Sequence, residues 1–102
     1  MNNLSSSQRS YLRSHAHHLE PVVLIGKHGI TDGTIKSIDR VLETRELIKI
    51  KFREFKDEKS SLSEKIAKIT HSEIVGIIGH TLILFRQNPD SEKQQNYFLA
   101  KK

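Results

Sequence analysis

The sequence predicts a single α/β domain in which three helices pack against a four-stranded mixed sheet. Segments with helical periodicity alternate with short apolar segments in the order α-β-α-β-α-β-β. Strands joined through a helix pair in parallel by right-handed crossovers, whereas the last two strands are separated by a short turn and must pair antiparallel. The length of 102 residues suits one domain rather than two.

The first helix is predicted over about Ser6 to His18. Ser5 and Gln8 have the spacing of a capping box, in which each side chain satisfies the other residue's backbone amide. Glu20 precedes a proline and is therefore biased towards extended backbone, which ends the helix. The β-branched segment that follows, Pro21 to Ile25, is predicted as the first strand.

The second helix begins near Thr31 and Asp32, an N-cap residue followed by an acid in the first turn, and is expected to end near Arg45 and Glu46. From Leu47 the apolar period changes to two, which is typical of a strand. Its side chains therefore alternate between an apolar face and a basic face. These faces consist of Ile48, Ile50 and Phe52, and of Lys49, Lys51 and Arg53.

A third helix is predicted after a second capping-box spacing, Ser61 and Glu64. Its narrow apolar stripe consists of Leu62, Ile66 and Ile69. Two further strands, 73–78 and 82–85, follow the helix, and the residues between them are few enough for a hairpin turn. The folded domain is thus expected to cover residues 1–86, with residues 87–102 as a polar, flexible tail.

Composition excludes several classes of function. No apolar run approaches the roughly 18 to 20 residues of a membrane span, so no membrane partner is expected. The first residues lack the features of a secretory signal, and the chain has no cysteine for disulfides, thiolate metal sites or a thiol nucleophile. We therefore expect a cytoplasmic protein with no cofactor.

The net charge of +5 favours a polyanionic partner, because a positive potential attracts phosphates. Some cations have a simpler explanation. Lys36 and Arg40 on the second helix lie at pairing distance from Asp39 and Glu43, and we expect ordinary surface ion pairs there.

The segment Gly26-Lys27-His28-Gly29 joins the first strand to the second helix. Two glycines permit a tight turn and a close approach of a ligand. The free amides that follow Thr31 and the Lys27 ammonium both favour a phosphate there. A GxxG loop holds the nucleic-acid backbone in KH domains, although there it joins two helices. A plain strand-to-helix turn has the same pattern, so the motif alone leaves both interpretations open.

Two further sets of cations are candidates for phosphate contacts. The first set recurs every four residues on the first helix, opposite its apolar stripe, and forms either a nucleic-acid-facing line or a solvated helix face. The second set is the basic face of the second strand, which either contacts phosphates or protects an exposed sheet. The sets are Arg9, Arg13 and His17, and Lys49, Lys51 and Arg53.

The histidines do not predict a metal site. His15, His17 and His18 have no acidic or cysteine ligand nearby, and His15 falls within the apolar arc, where we expect it to be partly buried and hydrogen bonded. His71 and His80 lie at a helix end and a turn and are assigned no role. No GxSxG, HExxH or cysteine nucleophile is present, so an enzyme with a small-molecule substrate is not expected.

Several ordered motifs together resemble one known family. They are Tyr11-Leu12-Arg13, Ala16-His17-His18-Leu19, Pro21-Val22-Val23, Ile25-Gly26-Lys27-His28-Gly29-Ile30-Thr31, Glu46-Leu47-Ile48-Lys49 and Ile78-Gly79-His80-Thr81-Leu82. They are similar to the bacterial YhbY family, the stand-alone form of the CRM (chloroplast RNA splicing and ribosome maturation) domain, over about residues 4 to 86. The resemblance implies an RNA-binding fold related to the C-terminal domain of translation initiation factor three.

The resemblance also implies association with precursors of the large ribosomal subunit and RNA contact by the GxxG loop. The leading hypothesis is a non-catalytic, monomeric RNA-binding module. Tyr11, Phe52 and Phe85 fall in the core by periodicity, so no platform of exposed rings is predicted and recognition should depend on backbone shape. The alternatives are a basic adaptor that meets an acidic protein, and a DNA-binding architectural protein, for which no helix-turn-helix spacing is found.

Overall fold

The computed structural model describes residues 4–88 and confirms the predicted order of helices and strands. The elements are α1 (Ser6–Ala16), β1 (Val23–Ile25), α2 (Asp32–Thr44), β2 (Leu47–Phe52), a 3-10 turn (Lys56–Glu58), α3 (Lys59–Thr70), β3 (Glu73–Ile78) and β4 (Thr81–Phe85). Within the described range, no helix has the length and apolar character needed to span a membrane.

The four strands form one mixed sheet in the order β1-β2-β4-β3. β1 pairs with β2 in parallel across the α2 crossover, and β4 pairs antiparallel with both β2 and β3. The β3–β4 hairpin therefore adds β4 to the edge of β2 and places β3 at the far edge. The predicted mixed sheet is confirmed.

The two faces of the sheet are covered by different helices. α2 and α3 cover one face, and α1 packs on the other. The first core consists of Ile25, Ile38, Leu42, Ile48, Ile50, Phe52, Ile66, Ala67, Leu82 and Leu84. The second core is smaller and consists of Leu4, Leu12, Ala16, Leu47, Val75, Ile83 and Phe85.

α1 covers only the start of the basic face of β2. Leu47 is buried beneath α1, whereas Lys49 is half-buried and Lys51 exposed on the same face. The strand register places Lys51 in one cross-strand row with Leu24 of β1, Thr81 of β4 and Ile78 of β3. Leu24 and Ile78 are 49% and 57% exposed, so this end of the α1 face stays open to solvent.

The predicted starts of the first two helices are confirmed in atomic detail. The Gln8 amide donates to Ser5 Oγ at 3.1 Å and the Ser5 amide donates to Gln8 Oε1 at 2.9 Å, which completes the capping box. The Thr34 amide donates to Thr31 Oγ1 at 3.1 Å, so Thr31 caps α2. α1 ends at Ala16, two residues before the predicted end.

The predicted start of the third helix is wrong. α3 begins at Lys59, directly after the 3-10 turn, and its N-cap residue Glu58 makes no side-chain cap. Ser61 lies inside the first turn, where its hydroxyl donates to the Glu58 carbonyl at 3.0 Å instead of capping. The predicted stripe is also shifted, because Ile69 is 46% exposed while Ser63 and Thr70 are buried.

Asp39 pairs with a residue distant in sequence. Its carboxylate accepts from Arg86 Nη1 at 2.5 Å, and Arg86 also donates to the carbonyls of Asp39 and Thr70. The expected pairing of Asp39 with the neighbouring cations of α2 is therefore wrong. Asn88 is buried, and its backbone amide donates to the Glu46 carboxylate. The chain therefore stays in contact with the folded domain beyond residue 86. Residues 89–102 of the predicted tail lie outside the described residues.

Candidate nucleic-acid interface

The GxxG loop, residues 26–29, is an exposed turn at the carboxyl end of β1. The Gly29 amide donates to the Gly26 carbonyl at 2.9 Å and closes the turn. Gly29 has a φ of +69°, in the left-handed region that favours glycine. Lys27 and His28 are exposed at the tip. The loop therefore presents the Lys27 ammonium to solvent. Within residues 26–29, the bond between Gly29 and Gly26 is the one backbone hydrogen bond.

The end of β2 fixes the loop beside a second turn. The Arg53 and Glu54 amides donate to the Ile25 carbonyl at 2.9 and 3.1 Å, just before the GxxG loop. The Phe52 amide donates to the His80 carbonyl at 2.8 Å on the other side of β2. The GxxG loop and the β3–β4 turn thus lie at one end of the sheet, two strand spacings or roughly 10 Å apart.

A groove opens between the GxxG loop and the 3-10 turn. Its cations are Lys27, Arg53 and Lys56, and its acids are Glu54, Asp57 and Glu58. Phe55 lies in this groove with a positive φ of 58°, and its ring packs against Gly29 while 41% of the residue stays exposed. Periodicity gives no signal for this aromatic side chain, because Phe55 falls between two periodic segments.

A second groove lies where α1 leaves the sheet uncovered. Its cationic and imidazole side chains are those of Arg13, His17, Lys49 and Lys51, and its one acid is Glu20. Lys49 Nζ donates to the Leu19 carbonyl at 3.0 Å, which holds the segment after α1 against β2. A Cβ atom on Gly76 would lie 3.4 Å from Arg13 Nη1, so the glycine lets the guanidinium lie close over β3.

These grooves join into one surface, hereafter the basic surface. A third groove, lined by Lys51, Arg53, Lys56 and His80, shares residues with both of the others. Within residues 4–88 none of its lysines or arginines forms an ion pair. The basic surface consists of Arg13, His17, Lys27, Lys49, Lys51, Arg53, Lys56 and His80. Its arrangement suits a chain of phosphates that crosses the end of the sheet.

Comparison with known families decides what kind of domain carries this surface. Residues 4–86 match the family model described as the CRS1 / YhbY (CRM) domain. The chain belongs to the CRM domain family. The resemblance found in the sequence is thereby confirmed.

Individual relatives of this CRM domain are named for RNA binding. The Methanocaldococcus jannaschii protein named "Probable RNA-binding protein MJ0652" is 41% identical over 102 residues, covering 97% of this chain and 72% of the relative. "Probable RNA-binding protein YqeI" of Bacillus subtilis is 36% identical over 91 residues, covering 88% of this chain and 95% of the relative.

A solved structure shares the fold of this CRM domain. The solution structure of the hypothetical Staphylococcus aureus protein SAV1595, proposed there to bind RNA, matches with a TM-score of 0.77 and 39% identity. The match covers 90% of this chain and 97% of that one. The predicted fold of three helices and a four-stranded mixed sheet is confirmed.

The CRM domain brings together some of the predicted RNA-binding residues and separates others. Arg13 and His17 border the open sheet rather than a solvated face opposite the apolar stripe. Arg9 is half-buried, and its guanidinium donates to the carbonyls of Ile74 and Leu4 at 3.1 and 2.9 Å. The expected line of three therefore contributes two residues to the basic surface. RNA contact by Arg9 stays a prediction, and its structural role is to tie α1 to β3.

Thr31 and the cations of the second strand were also predicted as candidates for phosphate contacts, and the structure gives them different positions. The Thr31 hydroxyl oxygen already accepts from the Thr34 amide, so it holds the first turn of α2 in place behind the GxxG loop. Arg53 lies beyond the end of β2 and faces the GxxG loop, whereas Lys49 and Lys51 face the α1 groove. The predicted row of three cations is thus not a single patch, because Arg53 shares the third groove with Lys51 but shares no groove with Lys49.

The histidines of the CRM domain form no metal site within the described residues. His15 is exposed, so the expected partial burial is wrong, because the buried stripe of α1 is limited to Leu12 and Ala16. The His15 ring lies edge-on to Tyr11, with centroids 4.6 Å apart.

His80, to which the sequence assigned no role, has an unusual setting. Lys59 Nζ lies 3.2 Å from His80 Nδ1 and also donates to the Gly79 carbonyl. Partial desolvation, followed by the positive charges of Lys59 and Lys56, lowers the pKa of His80 below its ordinary value of 6.5. This setting favours the neutral imidazole, whose unprotonated Nδ1 accepts from Lys59.

Proposed function

We propose that this CRM domain is a non-catalytic RNA-binding module that holds structured ribosomal RNA by its phosphates and assists assembly of the large ribosomal subunit. The observation that carries the proposal is the basic surface, which runs from α1 to the exposed GxxG loop without an internal ion pair. The names of the relatives support RNA as the partner.

The mechanism follows from electrostatics. Each lysine or arginine that neutralises a phosphate releases condensed counterions, so binding weakens steeply as salt rises. Lys27 contributes a cation on a turn that a phosphate can approach closely, because Gly26 carries no side chain. Open surface cations bind a polyanion without activating a nucleophile, and we therefore propose binding without a catalytic step.

The choice of structured RNA rests on the shape of the surface. The basic surface crosses the end of the sheet and, within residues 4–88, offers one exposed phenyl ring, Phe55, rather than a row of rings for stacking successive bases. Such a surface reads the path of a folded backbone more than base identity. The choice of the large ribosomal subunit follows from the family resemblance, and the cytoplasm as the place of action is proposed from the cysteine-free composition.

Salt dependence tests the phosphate-binding mechanism. Fragments of large-subunit ribosomal RNA are titrated with protein at several salt concentrations, and the slope of log affinity against log salt is measured. We expect Lys27→Ala to reduce the magnitude of this slope by about one unit. Lys65→Ala is the matched control, because Lys65 is exposed on α3 outside the grooves and should leave the slope unchanged. An unchanged slope in Lys27→Ala removes the proposed mechanism.

Copurification tests the cellular partner. The tagged protein is recovered from cells with and without nuclease treatment, and its associated particles are analysed by sedimentation. We expect association with large-subunit precursors that nuclease treatment abolishes. A partner protein that stays bound after complete nuclease digestion would instead indicate an adaptor whose basic face meets an acidic protein.

A further inference from the structure

Several cations lie beside the β3–β4 turn, in addition to Lys27 at the GxxG loop. The groove beside the turn is lined by Lys51, Arg53, Lys56 and His80, with Glu54 as the acid among them. Lys59 stands behind the turn, bonded to the Gly79 carbonyl and close to His80 Nδ1. The His80 imidazole thus belongs to a cluster in which cations outnumber acids.

Charged side chains from three different elements act on this imidazole. β2 contributes Lys51, the 3-10 turn contributes Lys56 and Asp57, and α3 contributes Lys59. The cations outnumber the two carboxylates, Glu54 and Asp57, and the imbalance disfavours a protonated ring. A ligand that brought negative charge into the groove would reverse that preference.

The position of the turn identifies such a ligand. The Phe52 amide is bonded to the His80 carbonyl, and the next amide, that of Arg53, is bonded to the Ile25 carbonyl that precedes the GxxG loop. The two turns therefore lie on either side of the end of β2, roughly 10 Å apart. A nucleic-acid backbone bound at Lys27 would therefore have to extend about 10 Å, past Arg53, to reach His80.

We propose that the groove at the β3–β4 turn is a second phosphodiester-binding subsite, in which His80 takes up a proton when the RNA backbone binds. The inference rests on the proposed function, since it takes RNA as the ligand. A phosphodiester in the groove supplies negative charge against Lys51, Lys56 and Lys59. The ring then accepts a proton from solvent, releases Lys59 and donates a charge-assisted hydrogen bond to a phosphate oxygen.

Site-specific titration of the histidine rings tests the subsite. The pKa of each imidazole is measured by NMR in the free protein and in the protein saturated with a hairpin RNA of about 30 nucleotides, a length sufficient for one stem and loop. We expect RNA to raise the pKa of His80. Between the free and bound pKa values, affinity should rise by up to about tenfold for each pH unit of acidification.

Two variants separate His80 from the other rings. His80→Gln keeps an acceptor for Lys59 but cannot gain a proton, so it should lose part of the pH dependence of RNA binding that the wild type shows. His71→Asn is the matched control, because His71 is exposed at the end of α3 and outside the grooves. The pH dependence of RNA binding should be the same in His71→Asn as in the wild type.

The outcomes distinguish this subsite from the proposed function. An identical pKa of His80 in free and bound protein, or wild-type pH dependence in His80→Gln, overturns the subsite. If Lys27→Ala still lowers the salt slope in that case, the proposed function survives without it. A hairpin RNA that fails to bind the protein at all overturns both.

Discussion

The ring of Phe55 rests against Gly29, so that a Cβ atom on the glycine would lie 3.3 Å from Phe55 Cε2. The contact joins the segment after β2 to the last residue of the GxxG loop. Both residues have positive φ values, of 58° and 69°. An aromatic residue in this conformation is uncommon and costs of order 1 kcal/mol or more, so the surrounding structure must hold it there. The shape of the GxxG loop therefore depends on a contact that is distant in sequence.

Gly29→Ala should lower the free energy of unfolding by about 1 to 2 kcal/mol, because a side chain is strained at a φ of +69° and would press on Phe55. Gly26→Ala is the matched control. A Cβ atom there meets nothing within 4 Å, so its effect on stability should stay within about 0.5 kcal/mol. Denaturant unfolding of both variants measures the difference, and equal stabilities would contradict the account of the loop.

His71→Gly should raise the free energy of unfolding by about 1 kcal/mol. His71 ends α3 in the left-handed region with a φ of 56°, and the Ser72 amide donates to the Ala67 carbonyl at 2.9 Å, as in a Schellman motif. Glycine adopts this conformation without strain. Thermal and denaturant unfolding check the gain, and RNA affinity should not change. A less stable variant would show that the histidine side chain makes a contact that outweighs the backbone strain.

Ser63→Ala should also stabilise the protein, by about 0.5 to 1 kcal/mol. Ser63 is fully buried in α3 and its hydroxyl has no hydrogen-bond partner. Alanine removes the unsatisfied group and is the better helix former. The midpoint of urea unfolding gives the result. A loss of stability of 1 kcal/mol or more would mean that the hydroxyl is bonded in solution.

The stability of the free protein should fall as pH drops below about 6.5, in part because of His80. The folded pKa of His80 is lowered, first by desolvation and then by Lys59, so the unfolded state binds more protons in this range and stability rises with pH. Lys59→Met should move the pKa of His80 back towards 6.5 and flatten this dependence. NMR titration of both proteins measures the shift, and an identical pKa in the variant would exclude Lys59 as a cause.

The parts of the fold that the sequence predicts are those with local causes. The capping box of Ser5 and Gln8, the Thr31 cap, the change of period at Leu47 and the short β3–β4 turn each depend on neighbouring residues. The start of α3 was missed because a 3-10 turn without a side-chain cap leads into it.

The candidate site was only partly predictable, because long-range contacts decide which cations are available. Lys27 and its loop follow from the sequence pattern. Nothing local to Arg9 indicates that its guanidinium bonds to the carbonyl of Ile74, 65 residues away. In the same way, the separation of Arg53 from Lys49 depends on where β2 ends relative to the GxxG loop. Periodicity predicts which face of a helix or strand a side chain occupies, but not which residue distant in sequence contacts it.

The central claim is that RNA lies along the basic surface. Ultraviolet crosslinking of the full chain to large-subunit ribosomal RNA, followed by mass spectrometric mapping of the modified residues, tests it most directly. Adducts should fall on the GxxG loop around Lys27 and His28 and on the groove residues near Lys51 and Phe55. Adducts confined to the outer faces of α2 and α3, around Lys36 and Lys65, would contradict the account.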